Sequence, residues 1–388
     1  MTNPPRTNPP RTNPPARGST WAQGGRGRTA AGRWTVKAWL ALGLVFVLGG
    51  CTKNASQDSL KAHGSIARLQ NSLFIPVFWI AVGVFVLIGG LVGVCVIKFR
   101  ARSDDEAPRQ IHGHTKAEIA WTIMPAVLLA SIAIPTVKFV FDLNKFPKNA
   151  ITVNVTGHRW WWQMDYTKAD DVNQTDFTTA SEMHIPVKQQ VIVTLTSVDV
   201  IHNFWVPELA GKLYAIPGRH NKLVIEADTP GTYYGQCAEF CGTSHSNMRL
   251  RVIADTPEDY AAWVTSQEAP AAQPVAASTS PDTTTTLPGV TPAPSQASLA
   301  ATGANVFKSA GCAGCHAITG ISDGVVGPNL THFKSRSVFA GAIFQNDDNN
   351  LRLWLANPPA QKPGSVMPNL HLTSDQINQL IAYLDTLR

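Results

Sequence analysis

Residues 237–248 read Cys237-Ala238-Glu239-Phe240-Cys241-Gly242-Thr243-Ser244-His245-Ser246-Asn247-Met248. Two thiols, an imidazole and a thioether in so short a loop are soft ligands, a mixture that selects copper over magnesium or calcium. A zinc site would have no use for the methionine. A structural disulfide between Cys237 and Cys241 is the competing reading, because an exported chain permits one. It leaves His245, Met248 and the upstream Asp199-Val200-Ile201-His202 unexplained. Around the loop the pattern is β: short runs at 151–155, 191–196, 222–227, 231–236 and 248–253 are separated by turn signals such as Thr229-Pro230-Gly231. They predict an antiparallel sandwich or Greek-key barrel over residues 150–265.

Downstream, residues 266–297 are rich in Pro, Ala, Ser and Thr, with only Glu268 and Asp282 charged, which makes a tether between independent domains. Residues 298–388 carry a helical signal, including a capping box from Thr373 to Gln376 ahead of Ile377, Leu380, Ile381 and Leu384. Within them Cys312-Ala313-Gly314-Cys315-His316 is a CxxCH sequence, the pattern for covalent c-type haem attachment. Met367 is the one methionine of this region and the candidate second axial ligand, with His332 and His371 as competitors. A His/Met pair suits electron transfer at raised potential.

Upstream, residues 73–97 contain no charge and, at ~1.5 Å per residue, are long enough for a tilted membrane crossing. The uncharged run 119–137 predicts a second span over about 119–141, interrupted by Pro125 and Pro135. Lys98, Arg100, Arg102, Arg109 and Lys116 lie between the spans, so the positive-inside rule puts that loop in the cytoplasm and the C-terminal half outside. The transmembrane hairpin is thus expected over residues 51–144. Residues 1–50 open with a Pro-rich pentapeptide repeat and continue as a basic stretch followed by a short apolar run, a signal peptide whose end, Leu48-Gly49-Gly50-Cys51, has the form of a lipobox. That leader carries seven basic residues and no acidic one, so the net charge of +6 becomes −1 without it. A nucleic-acid-binding face is therefore not expected.

These segments converge on a family. Gly157-His158-Arg159-Trp160-Trp161-Trp162, Asp199-Val200-Ile201-His202-Asn203-Phe204-Trp205-Val206-Pro207, Ile216-Pro217-Gly218-Arg219 and the cysteine loop, following two spans, closely resemble cytochrome c oxidase subunit II over about residues 55–265. The C-terminal region resembles the cytochrome c domain fused to that subunit in some bacterial oxidases. The implied architecture is a multidomain membrane protein: a two-helix transmembrane hairpin, a cupredoxin-like β-sandwich and an all-α cytochrome c domain.

By this resemblance Cys237 and Cys241 bridge a dinuclear copper A centre, His202 and His245 are its terminal ligands, Met248 is a weak ligand, and Glu239 ligates through its main-chain carbonyl. The Glu239 side chain would point to a magnesium site shared with subunit I. Trp160 matches the aromatic residue where electrons come in, though three consecutive tryptophans also suit a β core. Glu118, in Glu118-Ile119-Ala120-Trp121-Thr122, matches the carboxylate at the mouth of a proton pathway into subunit I. Tyr214 departs from the pattern, standing where many members have an acid.

The expected role is relay of single electrons from haem c through copper A to subunit I, where dioxygen is reduced with proton pumping. The chain would then be the electron-receiving subunit of a cytochrome-c oxidase in the plasma membrane, partnered by subunits I and III and supplied by cytochrome c or a cytochrome bc complex. Residues 150–265 carry a net charge of −5 and residues 298–388 of +1, a weak attraction to which tethering adds a high effective concentration. A nitric oxide reductase subunit with copper A would share nearly every motif. A copper-delivery or thiol oxidoreductase assembly factor would carry a mononuclear or dithiol site instead, and a quinol oxidase subunit II would lack the intact ligand loop.

Overall fold

The computed structural model describes residues 55–100, 113–148, 150–168, 174–271 and 295–388, with residues 43, 110 and 171 singly. Cys51, nearly all of the leader, and most of the interhelical loop and the tether lie outside the described residues.

Among the described residues the first extended elements are two long apolar helices, α1 (Ser65–Lys98) and α2 (Thr115–Leu143). Both are long and apolar enough to cross a membrane, and both present large side chains such as Trp79, Phe85, Ile97 and Leu129 outward. Such a surface needs lipid or another apolar chain to cover it. α1 starts eight residues before the uncharged stretch, because its first two turns belong to the external domain. Ser65 and Arg68 bond to Glu226 and Asp228, and the Ala67 N–H donates to the Leu209 carbonyl at 3.2 Å. Gly64 permits that approach: a Cβ there would lie 2.0 Å from the Glu226 carbonyl oxygen.

The external domain is a sandwich of two five-stranded sheets. In one, the order is β3 (Thr175–Ala180), β2 (Trp161–Thr167), β1 (Ile151–His158), β5 (Val191–Ser197) and β8 (Asn221–Ile225). In the other it is β4 (Glu182–Pro186), β10 (Arg249–Asp255), β9 (Gly231–Cys237), β6 (His202–Trp205) and β7 (Leu213–Ala215). Alternating residues such as Val153, Val155, Val191, Val193 and Leu195 point into the core, the period-two pattern of half-buried strands. The sheets are mixed and not purely antiparallel, since β1 pairs with β5 and β4 with β10 in parallel. Strand-level patterning carries no information about which direction a distant neighbour runs.

Helix α3 (Pro257–Glu268), capped by Thr256, closes the sandwich and lays Trp263 flat on His184, with ring centroids 4.2 Å apart. His184 Nδ1 lies 2.7 Å from Asp255 and its Nε2 3.7 Å from the buried Glu182. Burial disfavours the imidazolium, but these two carboxylates outweigh it and raise the His184 pKa.

The C-terminal domain packs α4 (Gln296–Ser309) against α7 (Ser374–Leu384), with α5 (Asp348–Ala356) and the short α6 (Pro358–Gln361) alongside. The predicted capping box of α7 is formed: the Thr373 hydroxyl accepts the Gln376 N–H while the Gln376 side chain accepts the Thr373 N–H. Two small ribbons interrupt the helical architecture, β11 (His316–Ile318) with β12 (Ser322–Val325) and β13 (Val338–Phe339) with β14 (Phe344–Gln345).

Because the His184 pKa is raised from about 6.5, its contribution is complete below that value and is lost as pH rises through the folded pKa. His184→Gln should therefore destabilise the protein by ~1.5–3 kcal/mol in acid and by less in base. Denaturant unfolding followed by tryptophan fluorescence at pH 5.5 and 8.5 measures the difference.

Candidate functional site

The cysteine loop leaves the core at the end of β9 and returns at β10, so its ligand-type side chains fold back over the sheet that carries β6. Cys237 Sγ lies 3.8 Å from Cys241 Sγ and 3.8 Å from His202 Nδ1. Cys241 Sγ is in turn 3.6 Å from His245 Nδ1 and 3.9 Å from Met248 Sδ, and the Glu239 carbonyl oxygen is 3.2 Å from Cys237 Sγ. All six residues named from the sequence thus converge. The two sulfurs are free and far beyond the ~2.05 Å of a disulfide bond. His202, Cys237 and Cys241 are all buried, with ligating atoms within 4.8 Å of one another.

Electrostatics here asks for a cation. Hydrogen bonding from Cys241 and His202 drives the Cys237 thiol toward its thiolate, and the resulting negative sulfur pushes the Cys241 thiol up. Two thiolates that close are tolerable only with positive metal between them. Asp199 completes the site, its carboxylate 2.8 Å from His202 Nε2, which leaves Nδ1 to face the sulfur. The sequence placed Asp199 three residues before the histidine but did not give its direction. Asp199 is itself held by the backbone N–H groups of Arg159 and Val200 at 2.7 and 2.6 Å.

The three tryptophans divide their tasks. Trp162 is fully buried and meets His202 and Phe204 edge-on, while Trp161 stacks on His158. Trp160 lies on the cysteine loop and donates its Nε1–H to the Cys241 carbonyl at 3.2 Å. It is only 8% exposed, because the C-terminal domain covers it. Tyr214, on β7, is half-exposed. Glu118 sits in the first turn of α2, where it accepts the His114 N–H at 3.1 Å while the His114 ring accepts the Ala117 N–H. It therefore has a capping duty whatever else it does.

In the C-terminal domain Cys312, Cys315, His316 and Met367 all line one cavity of ≈ 350 Å³. His316 Nδ1 bonds to the Pro328 carbonyl at 2.8 Å, which leaves Nε2 as the free ligand atom. Burial lowers the His316 pKa and keeps the ring neutral, as iron ligation requires. His332 and His371 are not among the cavity's lining residues; His332 bonds to the C-terminal carbonyl of Arg388 and His371 is exposed. Arg336, unremarked in the sequence, lines the cavity with its Nε unpaired and its pKa lowered to about 10 by burial. A flat apolar group carrying carboxylates, as haem does, fits that demand. Trp160 and Lys362 line the same cavity.

Three stretches of the sequence match described families: 56–139 the transmembrane domain of cytochrome c oxidase subunit II, 151–255 its periplasmic domain, and 300–388 cytochrome c. Cytochrome c oxidase subunit 2 of Alkalihalophilus pseudofirmus is 34% identical over 89% of this chain and 95% of its own length. Subunit 2 of Bacillus sp. strain PS3 is 31% identical over the same shares. A quinol oxidase subunit 2 of Bacillus cereus is 32% identical over 60% of this chain and 79% of its own.

Asp199→Asn keeps the shape but removes the charge that orients His202. It is expected to weaken copper binding by about 10–100-fold. Competition titration of the metal-free protein with a copper chelator measures this.

Proposed function

Because the chain belongs to the cytochrome c oxidase subunit II family and continues into a cytochrome c domain, we propose that it is the electron-receiving subunit of a respiratory haem–copper oxidase, relaying electrons from haem c through copper A to subunit I. When bound, the two groups supply one-electron storage sites at which little nuclear rearrangement accompanies oxidation. The observation that carries the reading is the unbroken series of close approaches from His202 through Cys237 and Cys241 to His245 and Met248.

In this reading Cys237, Cys241, His202 and His245 would hold a pair of copper ions, with Met248 and the Glu239 carbonyl as weaker ligands. Asp199 fixes the His202 tautomer, and the buried core holds the ligands so rigidly that neither redox state can relax far. Cys312 and Cys315 would hold haem c covalently, His316 and Met367 would ligate its iron, and Arg336 would meet a haem carboxylate. Trp160 connects the haem cavity to the Cys241 carbonyl. The Glu239 carboxylate is directed to a magnesium ion shared with subunit I, and Glu118 admits protons to that subunit. Cys51 is lipidated after leader cleavage, which sets the copper and haem domains on the outer face of the plasma membrane, with dioxygen reduction and proton pumping on the partner chains. Subunit III and a cytochrome c or cytochrome bc donor complete the assembly.

The purified chain should contain two coppers and one covalently bound haem, with a seven-line copper hyperfine pattern in its electron paramagnetic resonance spectrum. Cys237→Ser should abolish that pattern and leave the haem spectrum intact. A mononuclear copper signal, or Cys237 joined to Cys241 in the active complex, would overturn the reading in favour of an assembly factor or a structural loop.

A further inference from the structure

The tether leaves open whether the cytochrome domain works by swinging or from a fixed seat. The contacts between the two external domains are specific and partly buried, and they gather at two places. At the first, Glu182 of β4 accepts the Ser337 N–H at 3.1 Å and also bonds the Ser337 hydroxyl, while Gln267 Nε2 donates to Ser335 Oγ at 3.2 Å. At the second, residues 362–365 lie on Trp160 and the cysteine loop. Lys362 is 4% exposed, and its Nζ donates to the Trp160 carbonyl at 2.5 Å and to the Ala340 carbonyl at 2.7 Å. The Ser244 hydroxyl, next in sequence to His245, donates to the Pro363 carbonyl. The Arg249 N–H donates across the interface to the Gly341 carbonyl at 3.0 Å.

Glycines bring the indole of Trp160 close to both domains. A Cβ on Gly242 of the cysteine loop would lie 3.1 Å from its Cζ2, and one on Gly364 of the cytochrome domain 2.7 Å from its Cη2. Both have positive φ, +116° and +83°, which glycine adopts without strain. Three residues past Gly364 comes Met367, the proposed axial ligand, so one short segment both lines the haem cavity and touches the copper loop. Burying an ammonium against two carbonyls, with no carboxylate hydrogen-bonded to it, is costly and lowers the Lys362 pKa to about 7. An exposed lysine would have avoided that cost. Its place inside the interface, bridging two carbonyls, points to a geometric duty.

We propose that Lys362 is a positioning residue for electron transfer: by bridging the carbonyls of Trp160 and Ala340 it clamps the cytochrome domain in a docked seat, with Trp160 held between the haem cavity and the copper loop. This rests on the relay described above. The electron then passes between fixed partners and domain swinging is not part of turnover.

The test uses the full-length, metal- and haem-loaded protein and the variants Lys362→Met, Lys362→Gln and Glu182→Gln. The docking readout is hydrogen exchange at the Arg249 and Ser337 amides, whose acceptors lie across the interface. The functional readout is the rate of haem-to-copper electron equilibration after rapid photoreduction. Lys362→Met should raise exchange at both amides and slow equilibration by about tenfold, as loss of a charge-assisted buried bond would, with copper content and covalent haem content unchanged. Lys362→Gln keeps an N–H donor and should restore most of both. Glu182→Gln, remote from Trp160, should loosen the seat and slow transfer in the same direction. Exchange unchanged in Lys362→Met would overturn the clamp, and raised exchange with an unchanged rate would overturn the fixed seat. A wild-type protein lacking the dinuclear copper signal would instead sink the underlying relay.

Discussion

Two sulfur atoms 3.8 Å apart inside an apolar sandwich set the terms for this part of the molecule. One of them is driven toward its thiolate and raises the pKa of the other, so both can be ionised together only around positive charge. The fold meets that requirement from three strands. Cys237 closes β9, His202 opens β6 and Met248 immediately precedes β10, and these three are neighbours in one sheet. Three of the ligand-type residues are thus held at the ends of backbone ladders, while Glu239, Cys241 and His245 ride on the loop between them. Asp199, anchored by two backbone N–H groups, extends the order outward by one layer.

Such rigidity suits a centre that gains and loses electrons, since a cage that cannot relax keeps the two redox states alike. The cytochrome cavity follows the same logic with different parts. His316 is fixed by the Pro328 carbonyl, and the buried Arg336 offers an unspent donor to a group that brings its own negative charge.

Much of this was legible in the chain. The spacing of the cysteine loop, the CxxCH sequence and the two uncharged runs are local patterns, and local patterns survive in sequence. Asp199 was visible as a neighbour of His202, but its duty was not, because a carboxylate three residues away in a strand lead-in has no fixed direction until the turn is built. The parallel pairings of β1 with β5 and β4 with β10 were hidden for the same reason. Least legible was the seating of one domain on the other. It joins Trp160 to Lys362 and Glu182 to Ser337 across more than 150 residues, and in sequence Lys362 reads as an ordinary surface lysine. Trp160, matched by resemblance to the aromatic residue where electrons come in, is roofed over by that seating.

The stem formed by the first two turns of α1 has a mechanical consequence. Gly64, Ser65 and Arg68 fasten the helix to the β8 end of the sandwich, and the same helix continues without a break into the apolar stretch below. The external domain is thereby joined to the helix by side-chain and backbone bonds and not by a loose neck. One continuous helix therefore couples the orientation of the external domain to that of the apolar stretch, where a separate linker would have let the two turn independently.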